Sequence, residues 1–563
     1  MTLPPPAVER RDHAIGALLC VLYVALLLLT ASDLGLARDE SMYVHAAESY
    51  AGWFERLFAD PGAALTQPVI DHHYRVNHEH PALVKTLFAF AYLADRELSL
   101  FTRHSLPFRF VGMLSAGLLL WLVHIFGARL YGRRVGLFAA LCMALMPRVF
   151  YHAHLDAFDL PITLAVTAVG YCYLRALNSL RWSVLTGLCF GLALSTKHNS
   201  WILPGIFAIH FAIAVALDRR RARHVGTGAV PRLGARPDWL IAMVLLGPPM
   251  LVGSWPWMWH DTLSRLNAYA AFHLHHDYYN IAYFGENHFW PPFPISFPWV
   301  MTLYTVPVTT LLLAAVGLTL VIRGRLAALR DPAADHDPKQ PAVLLLGLLL
   351  APLVLISLPS TPIFGGTKHW FTAYPFLAIL AGLGFDRLLE VVGAWLGERS
   401  ARWRRALPAL IGSWLLLPAA VETAHSHPFG LSHYGFAAGF VPGSADRGMN
   451  RQFWGFTTGS LAPFLYETLP QGGRVYVCDM THAAFRQLAH DGLLPDNIVP
   501  TADLARADLA LVHHEHHFAE VDYQIWTSFG SSQPLKVLSY DGVPIISVYA
   551  NPASGAVSGL KGP

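Results

Sequence analysis

Charged side chains are scarce in this sequence. Only 14% of its 563 residues are Asp, Glu, Lys or Arg, whereas 54% are hydrophobic and the mean hydropathy is +0.40. Soluble globular domains carry about 25% charged residues, so a water-soluble enzyme of this size is excluded. A net formal charge of only +3 gives no reason to expect nucleic-acid binding. The 16 Trp, 21 Tyr and 32 Phe residues need burial in protein or lipid, which excludes a disordered chain. The composition therefore indicates a polytopic membrane protein.

Cysteine is also rare, with five residues in the whole chain. Four of them lie in apolar runs, at positions 20, 142, 172 and 189, where a free cysteine behaves as a small buried hydrophobic residue. Cys478 stands alone in the more polar C-terminal part. This distribution excludes a disulfide framework and a zinc ribbon.

Long apolar runs are abundant, and a helix needs roughly 17–25 such residues to cross a membrane. The stretch 82–94 is shorter than that and contains Lys85, so we predict that it lies on the outer surface without spanning. About eleven spans are then predicted, at 14–32, 108–128, 135–151, 159–178, 182–196, 199–217, 238–257, 299–322, 342–358, 370–389 and 406–421.

The distribution of basic residues orients these spans, because cytoplasmic loops of membrane proteins carry an excess of Lys and Arg. With 82–94 outside, most basic residues fall on the same side as the N-terminus. Each short loop on the opposite side holds only one, namely Arg148, Lys197, Arg265 or Lys368. We therefore predict a multi-pass protein of a bacterial inner membrane, with a cytoplasmic N-terminus and a periplasmic C-terminus.

The predicted topology divides the chain into a membrane domain, residues 1–421, and an external tail, residues 422–563. The membrane domain contains a long external loop, 33–107, with amphipathic surface segments around 44–58 and 82–95. The tail alternates helix-like and strand-like stretches, which predicts a small periplasmic α/β domain with a turn at Pro500. Its predicted helices are 451–469 and 481–491, and its predicted strands are 474–479, 507–513, 535–540 and 544–549.

Ionisable residues collect at the external ends of spans rather than at helix centres, which makes them candidates for function. In a compact bundle these ends would converge on one external cavity. Both signs of charge at a lipid surface suit the transfer of a sugar from a lipid phosphate. A partly desolvated carboxylate would act as general base on the attacking hydroxyl, and cations would neutralise the departing phosphate. The residues concerned are Asp39, Glu40, Arg109, Arg148, Asp156, Asp159, Lys197 and Lys368.

Four segments carry these residues in recognisable motifs. RDESMY at 38–43 follows the first span, HPALVK at 80–85 precedes the second, FDLP at 158–161 opens the fourth and STKHN at 195–199 follows the fifth. In this order and topology the motifs resemble those of the protein O-mannosyltransferases. These are membrane-embedded glycosyltransferases of the C type, which use polyprenyl- or dolichyl-phosphate sugars. The lipid A aminoarabinose transferases share the same order of motifs and spans.

The resemblance implies a mainly α fold, a helical membrane bundle of the C-type glycosyltransferase fold, followed by the small external α/β domain. It implies an inverting transferase, mannosyltransferase-like, with a polyprenyl-phosphate sugar as donor and a protein, lipid or glycan as acceptor. By the motifs, Asp39 corresponds to the catalytic base, and Glu40 and Asp159 to the other acidic positions. The predicted lipid-phosphate ligands are His80, Lys85 and Lys197, and Arg109 joins them from its position at the end of a span.

Each of these assignments has a plainer alternative. Asp39 and Glu40 would also suit the start of a surface helix, and Asp159 would suit the N-cap of span four. Lys197 would reach lipid head groups as a long side chain at a helix end, as would Lys85 on a surface segment.

No metal-ligand set is predicted, although a divalent cation is compatible with the chemistry. The histidines near 72–80 and the run HHEHH at 513–517 would suit zinc, but such clusters more often face solvent. No cofactor is assigned from the sequence. The predicted partners are the lipid-linked donor, the acceptor and membrane lipids, without nucleic acid.

Two other functions fit the composition. A transporter or lipid flippase would place charges and broken helices near the middle of the membrane, in two related halves. A sensor or scaffold would work through the external tail alone. Because the charges lie at external span ends and no internal repeat is visible, we expect the transferase.

Overall fold

The computed structural model describes residues 7–225, 230–331, 337–397, 403 and 406–557. Parts of the predicted cytoplasmic loops 218–237, 323–341 and 390–405 lie outside the described residues. The helices in chain order are α1 Arg10–Thr30, α2 Glu40–Ala59, α3 Pro61–Ala64, α4 Gln67–Tyr74, α5 Leu83–Leu98, α6 Leu106–Tyr131, α7 Arg133–Ala144, α8 Pro147–Ala153, α9 Asp159–Ala176, α10 Leu180–Leu194, α11 Leu203–Val225, α12 Asp238–Gly253, α13 Thr262–Leu274, α14 Phe297–Thr305, α15 Val308–Arg330, α16 Pro341–Ile356, α17 Tyr374–Leu396, α18 Leu407–Ser426, α19 Phe440–Asp446, α20 Ala462–Thr468, α21 His482–His490 and α22 Ala519–Phe529. The strands are β1 Ile281–Tyr283, β2 Glu286–His288, β3 Gly473–Val477, β4 Ile498–Thr501, β5 Leu509–His513, β6 Lys536–Tyr540 and β7 Val543–Ala550.

Several helices are suited to cross a membrane, and the protein is a multi-pass membrane protein. Among the described residues, five helical segments are long and apolar enough on their own: Arg10–Asp33, Leu106–Tyr131, His198–Val225, Val308–Arg330 and Leu407–Ser426. Helices α7 and α8 would form a sixth span, bent by 74° where Pro147 cannot continue the backbone ladder. Three shorter apolar helices, α10, α12 and α16, are also present. The count of eleven spans stays a prediction.

Close helix packing depends on glycines that allow backbones to approach. A Cβ on Gly317 of α15 would collide with the carbonyl oxygen of Leu380 in α17. A Cβ on Gly112 of α6 would collide with the carbonyl oxygen of Leu155, in the turn between α8 and α9. Helices in lipid associate through such contacts because lipid offers no hydrophobic driving force. The contact at Gly112 also fixes the turn that precedes Asp159.

The predicted first external loop, residues 33–107, folds into four helices, α2 to α5. Helix α5 is too short to span the membrane. Helix α5 packs against α2 and α6 and buries Val84, Phe88 and Ala89. Its Leu87 and Phe90 are 43% and 45% exposed. One buried and one exposed apolar face are typical of a helix at the membrane surface, in agreement with the prediction for 82–95.

The C-terminal region contains a five-stranded sheet with the strand order β4-β3-β5-β7-β6. Strand β3 is parallel to both β4 and β5, whereas β7 is antiparallel to β5 and β6. Leu36 of the first external loop is 1% exposed within the hydrophobic core of this region. Ser105 at the start of α6 donates its hydroxyl to Asp491, at 2.7 Å. The sheet therefore packs directly on the end of the helical bundle that carries the connection between α1 and α6.

Three details of the predicted tail are wrong. Pro500 lies inside β4 rather than in a turn, because β4 is an edge strand and tolerates a residue without an N–H. The predicted helix 451–469 begins only with a 3-10 helix at Phe456–Leu461 and continues as α20. Helix α22 is not predicted at all.

Candidate active site

Asp39 lies one residue before α2, in the turn that follows α1, and its side chain is 35% exposed. Lys368 Nζ lies 3.5 Å from its Oδ2, and Arg38 Nε lies 3.7 Å from its Oδ1. Both distances are longer than a good charge-assisted hydrogen bond. The carboxylate is therefore attracted to two cations without being closed off by them, and its oxygens stay accessible to a ligand.

Asp159 begins α9 and is buried, in contrast to Asp39. It accepts a hydrogen bond from Lys197 Nζ at 2.9 Å, and its other oxygen lies 3.2 Å from His152 Nδ1. Lys197 comes from the turn after α10, so the bond ties two neighbouring turns together. Asp159 thus holds Lys197 in place, which is a positioning role for this carboxylate.

The two aspartates and two lysines meet in one small cavity. Asp39, Asp159, Lys197 and Lys368 line it together, with Trp454 from the C-terminal region on one side. Lys368 Nζ lies 4.2 Å from the ring centre of Trp454, close enough for a cation–π contact. Each ammonium group also faces a carboxylate, and among the residues that line this cavity the two lysines are the cations available to an anionic ligand.

A larger cavity of about 340 Å³ opens on the other side of Asp39. It lies between the first external loop, the segment 272–280 and the C-terminal region. Aromatic rings, amides and carboxylates line it, a combination that suits a polyhydroxylated ligand. The lining residues include Arg38, Asp39, Tyr43, Asn77, Glu79, His80, Phe272, Tyr279, Phe364, Asn450, Trp454, Asp479 and Glu515.

Glu40 and Arg109 form a closed ion pair. Arg109 donates to Glu40 through Nε and through Nη2, both at 2.8 Å, and each side chain is 2% exposed. Arg109 also donates to the carbonyl oxygen of Gly35 at 2.8 Å, and Glu40 accepts from the Ala37 amide at 2.7 Å. The pair holds the turn that carries Asp39. The geometry favours this structural role over the predicted roles in catalysis and phosphate binding.

Lys85 is buried beneath the loop that carries His80. Its ammonium group donates to the carbonyl oxygens of Asn77 and His80 and to the Asn77 side chain. Burial lowers the pKa of Lys85 to about 7. The lysine therefore closes the loop 77–80 and does not face the small cavity, contrary to its predicted place.

His80 lines the large cavity, where its Nδ1 has no hydrogen-bond partner among the described residues. Burial, and next the charge of Lys85, hold the pKa of His80 well below its ordinary value. The ring is therefore neutral at pH 7. It would contribute to ligand binding by a hydrogen bond and not by a positive charge.

The surroundings of Asp39 do not fit a divalent cation. Its nearest charged neighbours are Arg38 and Lys368, which occupy the positions that additional carboxylate ligands would need. Within the part of the chain that the structure describes, no group of three or more His, Cys, Asp or Glu side chains is placed to hold a metal ion. The site is therefore interpreted without a metal ion.

Comparison with known proteins identifies the fold. Residues 80–230 match the family of dolichyl-phosphate-mannose-protein mannosyltransferases. Over 92% of this chain and 71% of the other, the structure is similar to the archaeal oligosaccharyltransferase AglB from Archaeoglobus fulgidus in complex with an inhibitory peptide and a dolichol-phosphate, with a TM-score of 0.51 and 10% identity. It is also similar to ArnT from Cupriavidus metallidurans, over 98% of this chain and 99% of the other, with a TM-score of 0.49 and 15% identity. No curated protein sequence matches significantly.

The protein has the C-type glycosyltransferase fold. Both the predicted resemblance and the predicted fold class are confirmed, including the small sheet region near the C-terminus. In this C-type fold the motif residues Asp39, Asp159 and Lys197 do converge on one cavity, as the motifs imply. His80 faces the adjoining cavity, whereas Lys85 and Arg109 line neither cavity and stabilise the surrounding turns. Glu40 also lines the small cavity, but its carboxylate is closed in the pair with Arg109.

Lys368 is predicted to be among the ionisable residues at the cavity but is not predicted to bind the lipid phosphate, although this C-type fold places it beside Asp39. The signal was present as a repeated tripeptide. Thr196-Lys197-His198 and Thr367-Lys368-His369 are identical. The first lies between α10 and α11, and the second lies in a 3-10 helix between α16 and α17. Asp479, Glu515 and Trp454 carry no comparable signal, because only the packing of the C-terminal region brings them to the cavity.

Proposed function

We propose that this C-type glycosyltransferase transfers a sugar from a polyprenyl-phosphate donor to a hydroxyl group of a protein, lipid or glycan acceptor. The reaction would take place at the periplasmic face of a bacterial inner membrane, with inversion at the anomeric carbon. The family matched by residues 80–230 is described by a lipid-phosphate sugar donor, and AglB was solved with a dolichol-phosphate. Both support a lipid-phosphate donor here.

One observation carries the proposal. Asp39 stands at the boundary between a small cavity with two lysines and a larger cavity with carboxylates, amides and aromatic rings. A lipid-phosphate sugar has the same division, with an anionic phosphate at one end and a hydroxyl-rich ring at the other. The scissile bond of such a donor would then lie next to Asp39.

The proposed step assigns each group one task. Asp39 removes the proton from the acceptor hydroxyl as its oxygen attacks the anomeric carbon. The bond between that carbon and the phosphate oxygen breaks, and the electron pair leaves with the phosphate. Lys197 and Lys368 neutralise the charge that the phosphate gains, because both ammonium groups line the same small cavity.

The placement of the site supports a location at the external membrane face. Asp39, Lys197 and Lys368 lie in connections between the long helices, Asp159 is the first residue of α9, and none of the four lies in the middle of a span. The basic segments that the positive-inside rule assigns to the cytoplasm lie at the opposite helix ends. The lipid tail of the donor would therefore remain in the bilayer while its head group reaches the site.

The test uses the purified full-length protein in nanodiscs with a panel of radiolabelled polyprenyl-phosphate sugars. Release of free polyprenyl phosphate is followed for the wild type and for Asp39→Asn. We expect release from at least one donor by the wild type, and a loss of about 100-fold or more in the variant. Asp33→Asn, an exposed aspartate in the preceding turn, is the matched control and should keep wild-type release.

Two results would contradict the proposal. Equal release by the wild type and Asp39→Asn would remove Asp39 as the base. Release from none of the donors, in the presence of a membrane extract that supplies acceptors, would favour the transporter instead. Uptake of a labelled lipid into sealed vesicles would then be the readout to pursue.

A further inference from the structure

The sheet of the C-terminal region places one of its edges against the large cavity. After β3 the chain passes through α21 to β4, which pairs with β3 on one side. Strand β5 pairs with β3 on the other side, and after β5 the chain passes through α22 to β6 at the far edge of the sheet. The chain therefore leaves the carboxyl ends of β3 and β5 in opposite directions. In α/β sheets this reversal opens a crevice at the carboxyl ends of the strands, and ligands bind there.

The two residues at this crevice are acidic. Asp479 follows β3 by two residues, and Glu515 follows β5 by two residues. Their side chains are 5% and 7% exposed, and both line the large cavity that also contains Asp39. Asp479 Oδ1 accepts a hydrogen bond from Arg38 at 3.1 Å, so the residue before Asp39 is bonded directly to the crevice.

Each of these carboxyl groups keeps an unused oxygen. Asp479 and Glu515 interact with each other through their side chains. Apart from this contact, Asp479 Oδ2 and Glu515 Oε1 are buried without a hydrogen-bond partner among the described residues, and Asn450 Oδ1 next to them also has none. Burial raises the pKa of Asp479 to about 6, and burial together with the charge of Asp479 raises the pKa of Glu515 well above its ordinary value. A proton shared between Asp479 and Glu515 would supply one donor for their oxygens. The Asn450 oxygen would still lack a donor.

Unsatisfied buried acceptors of this kind call for a donor from a ligand, because leaving them unpaired is expensive. We propose that the C-terminal region completes the active site with a sugar subsite, in which Asp479, Glu515 and Asn450 accept hydrogen bonds from the hydroxyl or amino groups of a sugar ring. The inference deepens the proposed function, on which it rests, by assigning a substrate class and a specificity-determining part to the C-terminal region.

Charge decides which sugars fit. Four carboxyl groups line the large cavity, at Asp39, Glu79, Asp479 and Glu515, and Arg38 is the one permanent cation among its described lining residues. Carboxyl groups still outnumber cations there when Asp479 and Glu515 share one proton. Burial lowers the pKa of His517, which also lines the cavity, to about 4, so this ring adds no charge at pH 7. A phosphorylated or carboxylated sugar would therefore be repelled, whereas a neutral or amino sugar would be accepted.

Aromatic rings complete the subsite. Trp454 and Tyr279 line the same cavity, and Trp454 also borders the small cavity with the two lysines. An aromatic face offers an apolar platform to the C–H face of a sugar ring while carboxylates bind its edge. The ring in question belongs either to the donor or to the acceptor, since both would lie next to Asp39.

The first test measures binding without turnover. Full-length protein in nanodiscs is titrated at pH 7.5 with neutral methyl glycosides, amino-sugar methyl glycosides and mannose 6-phosphate. We expect the wild type to bind at least one neutral or amino glycoside, and mannose 6-phosphate to bind at least tenfold more weakly. The double variant with Asp479→Asn and Glu515→Gln should bind that glycoside at least tenfold more weakly than the wild type. Glu520→Gln, an exposed acid on α22, is the matched control and should stay within twofold.

The second test assigns the ring to its source. With water as acceptor, the KM for a polyprenyl-phosphate sugar should rise at least tenfold in the double variant if the ring belongs to the donor. If it belongs to the acceptor, this KM should stay unchanged while transfer to the bound glycoside falls at least tenfold.

Failure of the inference and failure of the proposed function are separable. Binding of no glycoside by the wild type, or equal binding by the wild type and the double variant, would overturn the sugar subsite and reduce the two acids to a structural pair. Glycoside binding without release of polyprenyl phosphate would retain the subsite and contradict the transferase. Tighter binding of mannose 6-phosphate than of every neutral and amino glycoside would overturn the charge argument.

Discussion

Asp39 and Glu40 are neighbours in the sequence, yet they stand in opposite surroundings. Glu40 is sealed in a pair with Arg109, in which each side chain is 2% exposed. Asp39 is 35% exposed and borders two cavities, with Lys368 and Arg38 at 3.5 and 3.7 Å. Both acids are next to cations, so proximity of opposite charge alone does not identify a catalytic group. Glu40 also lines the small cavity, so side-chain exposure and incomplete pairing distinguish the two.

The largest expected effect on stability is at the sealed pair. Glu40→Gln leaves the buried Arg109 charge without its counter-ion, and breaking a buried ion pair costs about 3–5 kcal/mol. We expect the free energy of unfolding, measured by denaturation of the detergent-solubilised protein, to fall by that amount. A loss below ~1 kcal/mol would mean that the pair is not closed in the folded protein.

Asp39→Asn should have the opposite profile. The side chain is partly exposed and makes no close hydrogen bond, so the free energy of unfolding should change by less than ~1 kcal/mol. Turnover should fall by about 10² to 10⁴, the contribution expected of a general base. Parallel measurement of donor turnover and thermal unfolding checks the expected loss of activity and the expected retention of stability. A stability loss as large as that of Glu40→Gln would contradict the distinction.

The lysines of the small cavity sharpen the comparison. Lys368→Met removes one of the two cations that would neutralise the departing phosphate, and a single such donor is worth on the order of 10² in rate. We expect this loss in kcat rather than in KM, because the added charge appears only as the bond breaks. Lys339→Met, on the approach to α16 and away from both cavities, should leave kcat unchanged. A rise in KM alone would limit Lys368 to ground-state binding.

The acidic pair at the crevice of the sheet should respond to pH in a defined direction. Because the folded-state pKa of Asp479 is raised to about 6 and that of Glu515 also lies above its ordinary value, folding favours their protonated forms. The stability they contribute is complete below the unfolded-state pKa of about 4 and is lost as the pH rises through about 6. Glu515→Gln should therefore raise Tm by on the order of 2 °C at pH 7.5. The difference should disappear near pH 4, and a constant difference across this range would contradict it.

The smallest effect is expected at an exposed ion pair on the first external loop. Glu55 and Arg96 are bonded at 2.7 Å, but their side chains are 48% and 46% exposed. Exposed pairs contribute about 0–1 kcal/mol. Glu55→Gln should therefore change neither the free energy of unfolding nor turnover beyond that range. Thermal unfolding beside Glu40→Gln gives the direct contrast between an open and a sealed pair.

The sequence allowed the class of fold and part of the site to be predicted. Apolar runs and the positive-inside rule indicate a helical membrane bundle, because both depend on local composition. The motifs around Asp39, Asp159 and Lys197 predict a shared cavity, and these side chains do meet there. The pairing of Glu40 with Arg109 could not be predicted, since 69 residues separate them and either side chain alone fits a catalytic or an interfacial role.

The C-terminal region shows the limit more clearly. The alternation of apolar residues in this region predicts strands. The edge strand β4 is not predicted, because a proline within a short apolar run indicates a turn, and Pro500 lies inside β4. Asp479 and Glu515 stand in different segments and become neighbours only through the order of the strands. Sheet order depends on long-range packing, which local patterns do not encode.

The central claim is that Asp39 performs chemistry and Glu40 maintains structure. The most direct measurement is the release of polyprenyl phosphate per folded molecule, for Asp39→Asn and Glu40→Gln side by side, with the folded fraction determined by size-exclusion chromatography of the same samples. We expect a loss of about 100-fold or more per folded molecule for Asp39→Asn. We expect a loss below about tenfold for Glu40→Gln, because the defect of that variant lies in the amount of folded protein. Equal losses per folded molecule, or a larger loss for Glu40→Gln, would contradict it.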